Sequence, residues 1–159
     1  MCIRDSINDN YGHAAGDKVI QAIGDILKDA IPDQSIAARL GGEEFVIFLS
    51  STSLRDCKQR AEDICQAFRE QRFDFDGQIV ASTASVGIAE QKTDETLYGM
   101  LSRADDALYL AKSDGRDCVR CEMDLAVREL KRARVSLEDA ASLIDGPDLS
   151  SLKSLFRKH

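Results

Sequence analysis

Two short apolar runs, residues 36–40 and 45–49, stand only four residues apart, and that gap limits what the chain can build. A link this short cannot carry a parallel crossover, which needs a dozen residues or more, so the two runs are predicted to form an antiparallel hairpin. The linking residues are Gly41, Gly42, Glu43 and Glu44. Everything else must pack around that ribbon. Over residues 14–31, Val19, Ile20, Ile23, Ile26, Leu27 and Ile31 recur at helical spacing, and Pro32 stops the run. Ser53 is positioned to cap a second helix reaching about residue 72, with Leu54, Ala61, Ile64, Cys65 and Phe68 facing inward. Asp76-Gly77 reads as a turn, and residues 79–89, rich in β-branched side chains, read as one long strand. Thr93 or Asp94 would cap a third helix carrying Leu97, Met100, Leu101, Ala104, Leu108 and Ala111, stopped at Asp114-Gly115. Residues 117–121 read as a last strand.

The resulting order, α-β-β-α-β-α-β, predicts an α+β fold with helices packed on a sheet. One further strand ahead of the first helix would complete a ferredoxin-like βαββαβ core. Residues 1–6 make a poor strand, so that first strand is expected to be missing or replaced. After residue 121 the character changes. Met123, Leu130, Leu137 and Ile144 stand seven apart, with Ala126, Ala133 and Ala140 between them, a heptad seam over about three repeats. Gly146-Pro147 interrupts it, and Leu149, Leu152, Leu155 and Phe156 suggest one more short helical piece. The seam suits either self-pairing or packing against the domain itself. Three segments are therefore expected: 1–6, 7–121 and a helical C-terminal extension over 122–159.

A net charge of −7 over 159 residues argues against a broad grip on nucleic acid or on an anionic membrane. It leaves room for a small anion held by a few cations and backbone N–H groups. No apolar run reaches the roughly 20 residues of a membrane span, and the start lacks the basic-then-apolar pattern of a secretion signal. The five cysteines are odd in number, and Cys118 with Cys121 forms a lone CxxC without a second ligand pair. Reduced thiols in a cytoplasmic protein are the plain reading.

The hairpin tip carries the chemistry. Paired glycines allow a tight turn and let a phosphate approach without a Cβ in its way. The two carboxylates that follow supply the oxygen ligands that hard cations such as Mg²⁺ prefer. Taken alone, the tip is equally an exposed turn made soluble by its glutamates. Its company removes that balance. Upstream runs Ile7-Asn8-Asp9-Asn10-Tyr11-Gly12-His13-Ala14-Ala15-Gly16-Asp17; downstream stand Ser85-Val86-Gly87-Ile88-Ala89, Arg103-Ala104-Asp105, Ala107-Leu108-Tyr109-Leu110-Ala111-Lys112 and Gly115-Arg116. With Gly41-Gly42-Glu43-Glu44-Phe45, these resemble the INDxxGHxxGD, GGDEF and RADxALYxAK…GR stretches of the GGDEF family of diguanylate cyclases, in order, over about residues 7–121.

The resemblance implies a transferase of bacterial second-messenger signalling, which condenses two GTP into cyclic di-GMP and pyrophosphate in a homodimer. It implies that Asn8 and Asp17 bind guanine, and that Gly41 and Gly42 let the loop wrap the triphosphate. It makes Glu43 a metal ligand and the group nearest the reacting 3′-hydroxyl, with Glu44 a further ligand of Mg²⁺ or Mn²⁺. Lys112 and Arg116 would hold the terminal phosphates, and Arg39 would lie near them. His13 is read as structural. From the residues alone, Asn8 is also a turn residue and Asp17 a first-turn carboxylate. Lys112 and Arg116 also suit a helix C-terminus, an effect worth only about 0.3–1 kcal/mol. An upstream sensor or receiver domain is the family's usual company.

Two departures from the family pattern bear on activity. The family's opening strand, with its DxDxFK residues and principal metal aspartate, has no counterpart in Met1-Cys2-Ile3-Arg4-Asp5-Ser6. Asp5 stands where the lysine belongs, so weak or absent turnover is expected. The competing function is a non-catalytic module that binds GTP or cyclic di-GMP. The product-binding RxxD positions hold Pro32 and Ser35, so feedback there is not expected.

Overall fold

A computed structural model describes residues 3–143, with side chains described for 7–135. The elements run α1 (Ile3–Tyr11), α2 (His13–Ala30), β1 (Ile36–Gly41), β2 (Glu44–Phe48), α3 (Leu54–Glu70) and β3 (Arg72–Phe75). They continue with β4 (Gln78–Ala81), β5 (Val86–Ile88), α4 (Leu97–Ser113), β6 (Val119–Cys121) and α5 (Glu122–Leu143). Two compact units divide this chain, one through Glu122 and one from Met123 onward.

The α+β class stands, and the predicted hairpin forms with Ile36 opposite Phe48 and Arg39 opposite Phe45. Gly41 then pairs with Glu44, so Leu40 is an extra residue bulged out of the ribbon. Among the described residues the strands pair as three two-stranded ladders: β1 with β2, β3 with β4 and β5 with β6. The β5–β6 pair is parallel, with α4 as its crossover.

The sequence reading and the structure agree that the chain opens without a strand: residues from Ile3 onward form a helix, which periodicity did not predict. Gly12, at φ +81°, breaks that helix from α2, a conformation glycine enters without steric cost. The long strand read over 79–89 is two strands, separated at residues 82–85, and an additional strand, β3, precedes the turn. Asp76 and Gly77, at φ +53° and +83°, close the β3–β4 hairpin as a two-residue turn with both centres left-handed. Asp74 Oδ1 accepts the Gly77 N–H at 2.8 Å and fixes the turn. The third helix begins at Leu97 behind Thr96, not Thr93 or Asp94, because the Thr96 hydroxyl accepts the Gly99 N–H at 3.1 Å. Ser53 caps α3 as expected, accepting from the Asp56 N–H at 3.1 Å.

Three small cores hold the first unit. Ile7 of α1 and Ala15 and Val19 of α2 meet Phe73 and Phe75 of the β3–β4 hairpin. Tyr11 adds a ring contact with Phe75, centroids 5.1 Å apart, and donates its hydroxyl to Gln78 Oε1 at 2.7 Å. Leu27 of α2 packs with Ile64 and Phe68 of α3, against Phe45 and Ile47 of β2. Ala61 and Cys65, from the same helix, cover Ile88, Val119 and Cys121 of the parallel pair. Thus the inward residues expected for α3 are inward, Leu54 only in part. On α4 the buried set is Ala107, Leu110 and Ala111, while Leu97 is exposed.

In the second unit, α5 carries Met123, Val127, Leu130 and Val135 exposed. The Gly146-Pro147 break, the seam residue Ile144 and the short helical piece after it lie outside the described residues, as do Met1 and Cys2. Among the described residues no helix is long and apolar enough to cross a membrane.

Candidate functional site

The hairpin places Gly42 and Glu43 at its tip, between the paired Gly41 and Glu44. Gly42 takes φ +56°, where a side chain would be strained, so the second glycine is required by the turn itself. Arg39 folds across the tip and donates from Nε and Nη2 to the Gly42 carbonyl, at 3.1 and 2.6 Å. It therefore braces the loop, a role the sequence did not suggest.

Behind the hairpin lies a cleft of about 1330 Å³ between β2, β5 and the helices α2, α3 and α4. Glu43 and Glu44 line it from the tip, and Lys112 and Arg116 line it from the end of α4. Two carboxylates and two cations, some seventy residues apart in the chain, thus border one concavity. Arg39, Gly41 and Gly42 do not line it, and Asn8 and Asp17 sit elsewhere, on α1 and α2. Asp17 is exposed. The Asn8 Oδ1 is buried without a hydrogen-bond partner, an acceptor held ready for a donor. His13 is exposed at the start of α2.

The cationic end is held by interactions no sequence motif announces. Arg116, at φ +65°, follows Gly115 in the turn after α4, and its N–H donates to the Ala111 carbonyl at 3.0 Å. Next to it, Asp117 receives Arg69 Nε on both carboxylate oxygens at 2.9 Å, and Arg69 Nη2 also reaches the Asp117 carbonyl at 3.0 Å. Ser85 accepts the Asp117 N–H at 3.1 Å. The turn bearing Arg116 is thereby tied to α3 and to the approach to β5. The hydrogen bond to Asp117 raises the Arg69 pKa.

Arg103, read at first only as part of a motif, is a clamp. It donates to the carboxylates of Glu95 and Glu122 and, at 2.6 Å, to the Glu90 carbonyl. Lys92 joins Glu122 at 3.0 Å. The Arg103 hydrogen bond holds the Glu95 carboxyl below its usual range. Burial works to raise the Glu122 carboxyl, but hydrogen bonds from Lys92 and Arg103 outweigh it and the net shift is downward. The clamp fixes the segment entering α4, the helix that carries Lys112 in its last turn.

The donor set bears on the divalent ion the family resemblance implies. Among the described residues no three His, Cys, Asp or Glu side chains gather as a metal cage. The adjacent Glu43 and Glu44 do fit a magnesium ion that arrives with a triphosphate, since Mg²⁺ is usually held by one or two carboxylates plus phosphate oxygens.

Fold and cleft together define a mixed helix–strand domain with a glycine-turned acidic tip facing a cationic helix end. The model of the family described as "Diguanylate cyclase, GGDEF domain" matches residues 5–118, and the chain belongs to the GGDEF family. Diguanylate cyclase A of Treponema denticola is 39% identical over 115 residues, covering 72% of this chain and 31% of that protein. Diguanylate cyclase DgcP of Pseudomonas aeruginosa is 41% identical over 111 residues, covering 70% and 16%. The GGDEF domain of DgcB from Caulobacter crescentus, crystallised in complex with c-di-GMP, aligns with a TM-score of 0.73 at 29% identity, covering 76% of this chain and 72% of that one. The chain thus spans less than a third of the length of these two curated relatives.

Proposed function

We propose that the chain is the catalytic domain of a diguanylate cyclase, binding GTP at the β1–β2 tip and joining two GTP into cyclic di-GMP. One observation carries this reading: Glu43, Glu44, Lys112 and Arg116 border a single cleft although they come from two elements distant in sequence. Lys112 and Arg116 take the terminal phosphates. The turn at Gly41 and Gly42 lets the phosphates approach the backbone. Asn8 and Asp17 accept from the N1–H and exocyclic amine of guanine, and the partnerless Asn8 Oδ1 suits that donor.

The 3′-hydroxyl oxygen of one GTP attacks the α-phosphorus of another. The bond from that phosphorus to the bridging oxygen breaks, pyrophosphate leaves, and Glu43 takes the hydroxyl proton. A second, reciprocal attack closes the ring. Glu43 and Glu44 hold a magnesium or manganese ion, which when bound neutralises charge on the phosphates. Each domain takes one GTP, so the reaction joins two domains in an isologous homodimer. We place it in the cytoplasm, where GTP is, under a sensor or receiver domain of the longer protein. Residues 7–121 are the domain and 122–159 its helical extension.

A second reading, a module that binds GTP or cyclic di-GMP without turnover, is favoured by the lack of a third metal-capable side chain beside Glu43 and Glu44 among the described residues. Purified chain incubated with GTP and Mg²⁺, with nucleotides resolved chromatographically, separates the two. The cyclase reading predicts slow cyclic di-GMP formation that Glu43→Ala abolishes, and faster formation once a DxDxFK strand is fused ahead of Ile7. Bound GTP with no product from either version would leave only the module.

A further inference from the structure

The turn after α4 is held more firmly than the end of a helix requires. Gly115, Arg116 and Asp117 take φ +108°, +65° and +50°, three left-handed residues in succession. Among the described residues no other two adjacent non-glycine residues share that conformation, which crowds a Cβ against the backbone. One left-handed glycine stops a helix. Gly115 does so here, and the Arg116 N–H on the Ala111 carbonyl, at 3.0 Å, completes the stop. The next bend, at Asp117, therefore has another reason. Backbone strain of this kind persists only where surrounding contacts over-determine it, and it gathers at sites that hold ligands.

The contacts that hold the turn converge on Asp117. Arg69, in the last turn of α3, takes both carboxylate oxygens and also the carbonyl of this one residue. The Asp117 N–H donates to Ser85 Oγ, and the next carbonyl, of Cys118, accepts the Val86 N–H at 3.0 Å. Side chain, N–H and C=O of Asp117 are thus all engaged, which fixes the backbone on the C-terminal side of Arg116. Stability is a weak reason for the Arg69–Asp117 pair, since its side chains are 38% and 35% exposed and ion pairs open to water contribute little. Neither Arg69 nor Asp117 lines the cleft, whereas Arg116 and Ser85 do. Asp114, the other acid of the turn, is paired with Arg120 at 2.8 Å. Both acids beside Arg116 are thus taken by other arginines, and Arg116 itself is exposed.

We propose that Arg69 and Asp117 are positioning residues for phosphate binding: they hold the left-handed turn that keeps Arg116 at the cleft. An exposed arginine on a loose turn spreads over many rotamers and backbone states, and ordering it on binding costs affinity. A turn already fixed by Arg69 and Ser85 removes part of that cost. The inference rests on the assignment of Arg116 to the terminal phosphates of GTP proposed above.

The test is titration calorimetry on the full chain with Mg²⁺, using GTP directly and GMP by competition against GTP. GMP lacks the terminal phosphates, so it reports the guanine end of the site alone. Arg69→Ala and Asp117→Ala should each weaken GTP about tenfold and leave GMP within about twofold. Asp117→Asn, which tolerates the left-handed region and keeps an acceptor for Arg69, should recover most of that loss. On an Arg116→Ala background, Asp117→Ala should weaken GTP no further, because both changes remove one contact. Arg69→Lys keeps the charge but cannot span carboxylate and carbonyl together, so it should weaken GTP as Arg69→Ala does. It keeps the test open should circular dichroism show the alanine variants unfolded. Equal losses for GTP and GMP would make the pair a contact of the fold only and would overturn the proposal. So would undiminished GTP affinity in Asp117→Ala, or losses that multiply in the double variant. GTP binding undiminished in Arg116→Ala, or absent from the parent, would instead sink the phosphate assignment, and the proposal with it.

Discussion

Gly87 shows how much one missing methyl group decides. A Cβ built there would stand 2.1 Å from the Ala104 carbonyl oxygen and 2.3 Å from the Leu108 N, both backbone atoms of α4. Neither can swing aside as a side-chain tip would. Gly87→Ala should therefore push α4 from β5 and cost about 3 kcal/mol of stability, read as a lower urea midpoint with an unchanged slope. Cys65 makes a second residue-level prediction. Burial pushes its thiol up to about 11. The folded chain keeps the protonated form, so Cys65 should resist alkylation by iodoacetamide at pH 8 while the urea-unfolded chain reacts. The linkage sign follows: this contribution to stability is intact below the unfolded value of 9.0 and is lost as pH rises through the folded one. Peptide mass mapping of the alkylated sites checks it, and rapid labelling of Cys65 in folded protein would contradict it. The part of the tip most legible in the sequence was chemical type: Gly41, Gly42, Glu43 and Glu44 suit a phosphate and metal turn or a plain exposed one equally, and only the motifs on either side of them tip the reading. Arg39 was legible as a nearby cation but not as a brace, because its bond to the Gly42 carbonyl depends on how far the bulge at Leu40 turns the ribbon.

At the scale of elements, the loops around α4 owe their order to charge clamps. Arg103 gathers Glu95, Glu122 and the Glu90 carbonyl, and the hydrogen bond it makes lowers the Glu95 pKa below its ordinary 4.5. A depressed carboxylate stabilises the fold above its unfolded pKa and stops doing so as pH falls through its folded one. Glu95→Gln should therefore unfold at lower urea than the parent at pH 7, and the gap should close as pH drops below about 4.5. A gap that stays constant down to pH 3 would remove charge from the explanation. Helical periodicity revealed α2, α3 and α4 because each is amphipathic over three turns or more. The β3–β4 hairpin was half-legible: Asp76-Gly77 marked the turn, but Phe73 and Phe75, alternating around Asp74, fall between the predicted helix end near residue 72 and that turn, too short an interval to show a strand. Residues 79–89 look continuous because β-branched residues suit both β4 and β5. Only pairing with different partners, β3 and β6, separates them. The Arg69–Asp117 bond spans 48 residues and leaves no local trace.

For the whole molecule, the hairpin tip, β5 and the end of α4 border one cleft. A complete ferredoxin-like order would need a strand ahead of the first helix; the sequence offered a poor one, and residues from Ile3 form a helix there. Among the described residues the strands pair two by two, and half-buried apolar residues of β2 and α4 border the cleft. Family membership was legible because its motifs are short and fixed in chemistry. The division into three ladders was not, since periodicity describes a strand's faces and says nothing of its edges. The claim on which the function rests is that the β1–β2 tip and the end of α4 hold one triphosphate between them. Titration calorimetry with GTP and Mg²⁺ tests it most directly, on the chain as it stands and on Lys112→Ala and Gly42→Val, each first shown to be folded. The account predicts a single GTP site that either substitution weakens by about tenfold or more, as expected for a lost charge-assisted contact worth about 1.5–3 kcal/mol. GTP binding of equal strength in all three proteins, or no GTP binding in any, would contradict it.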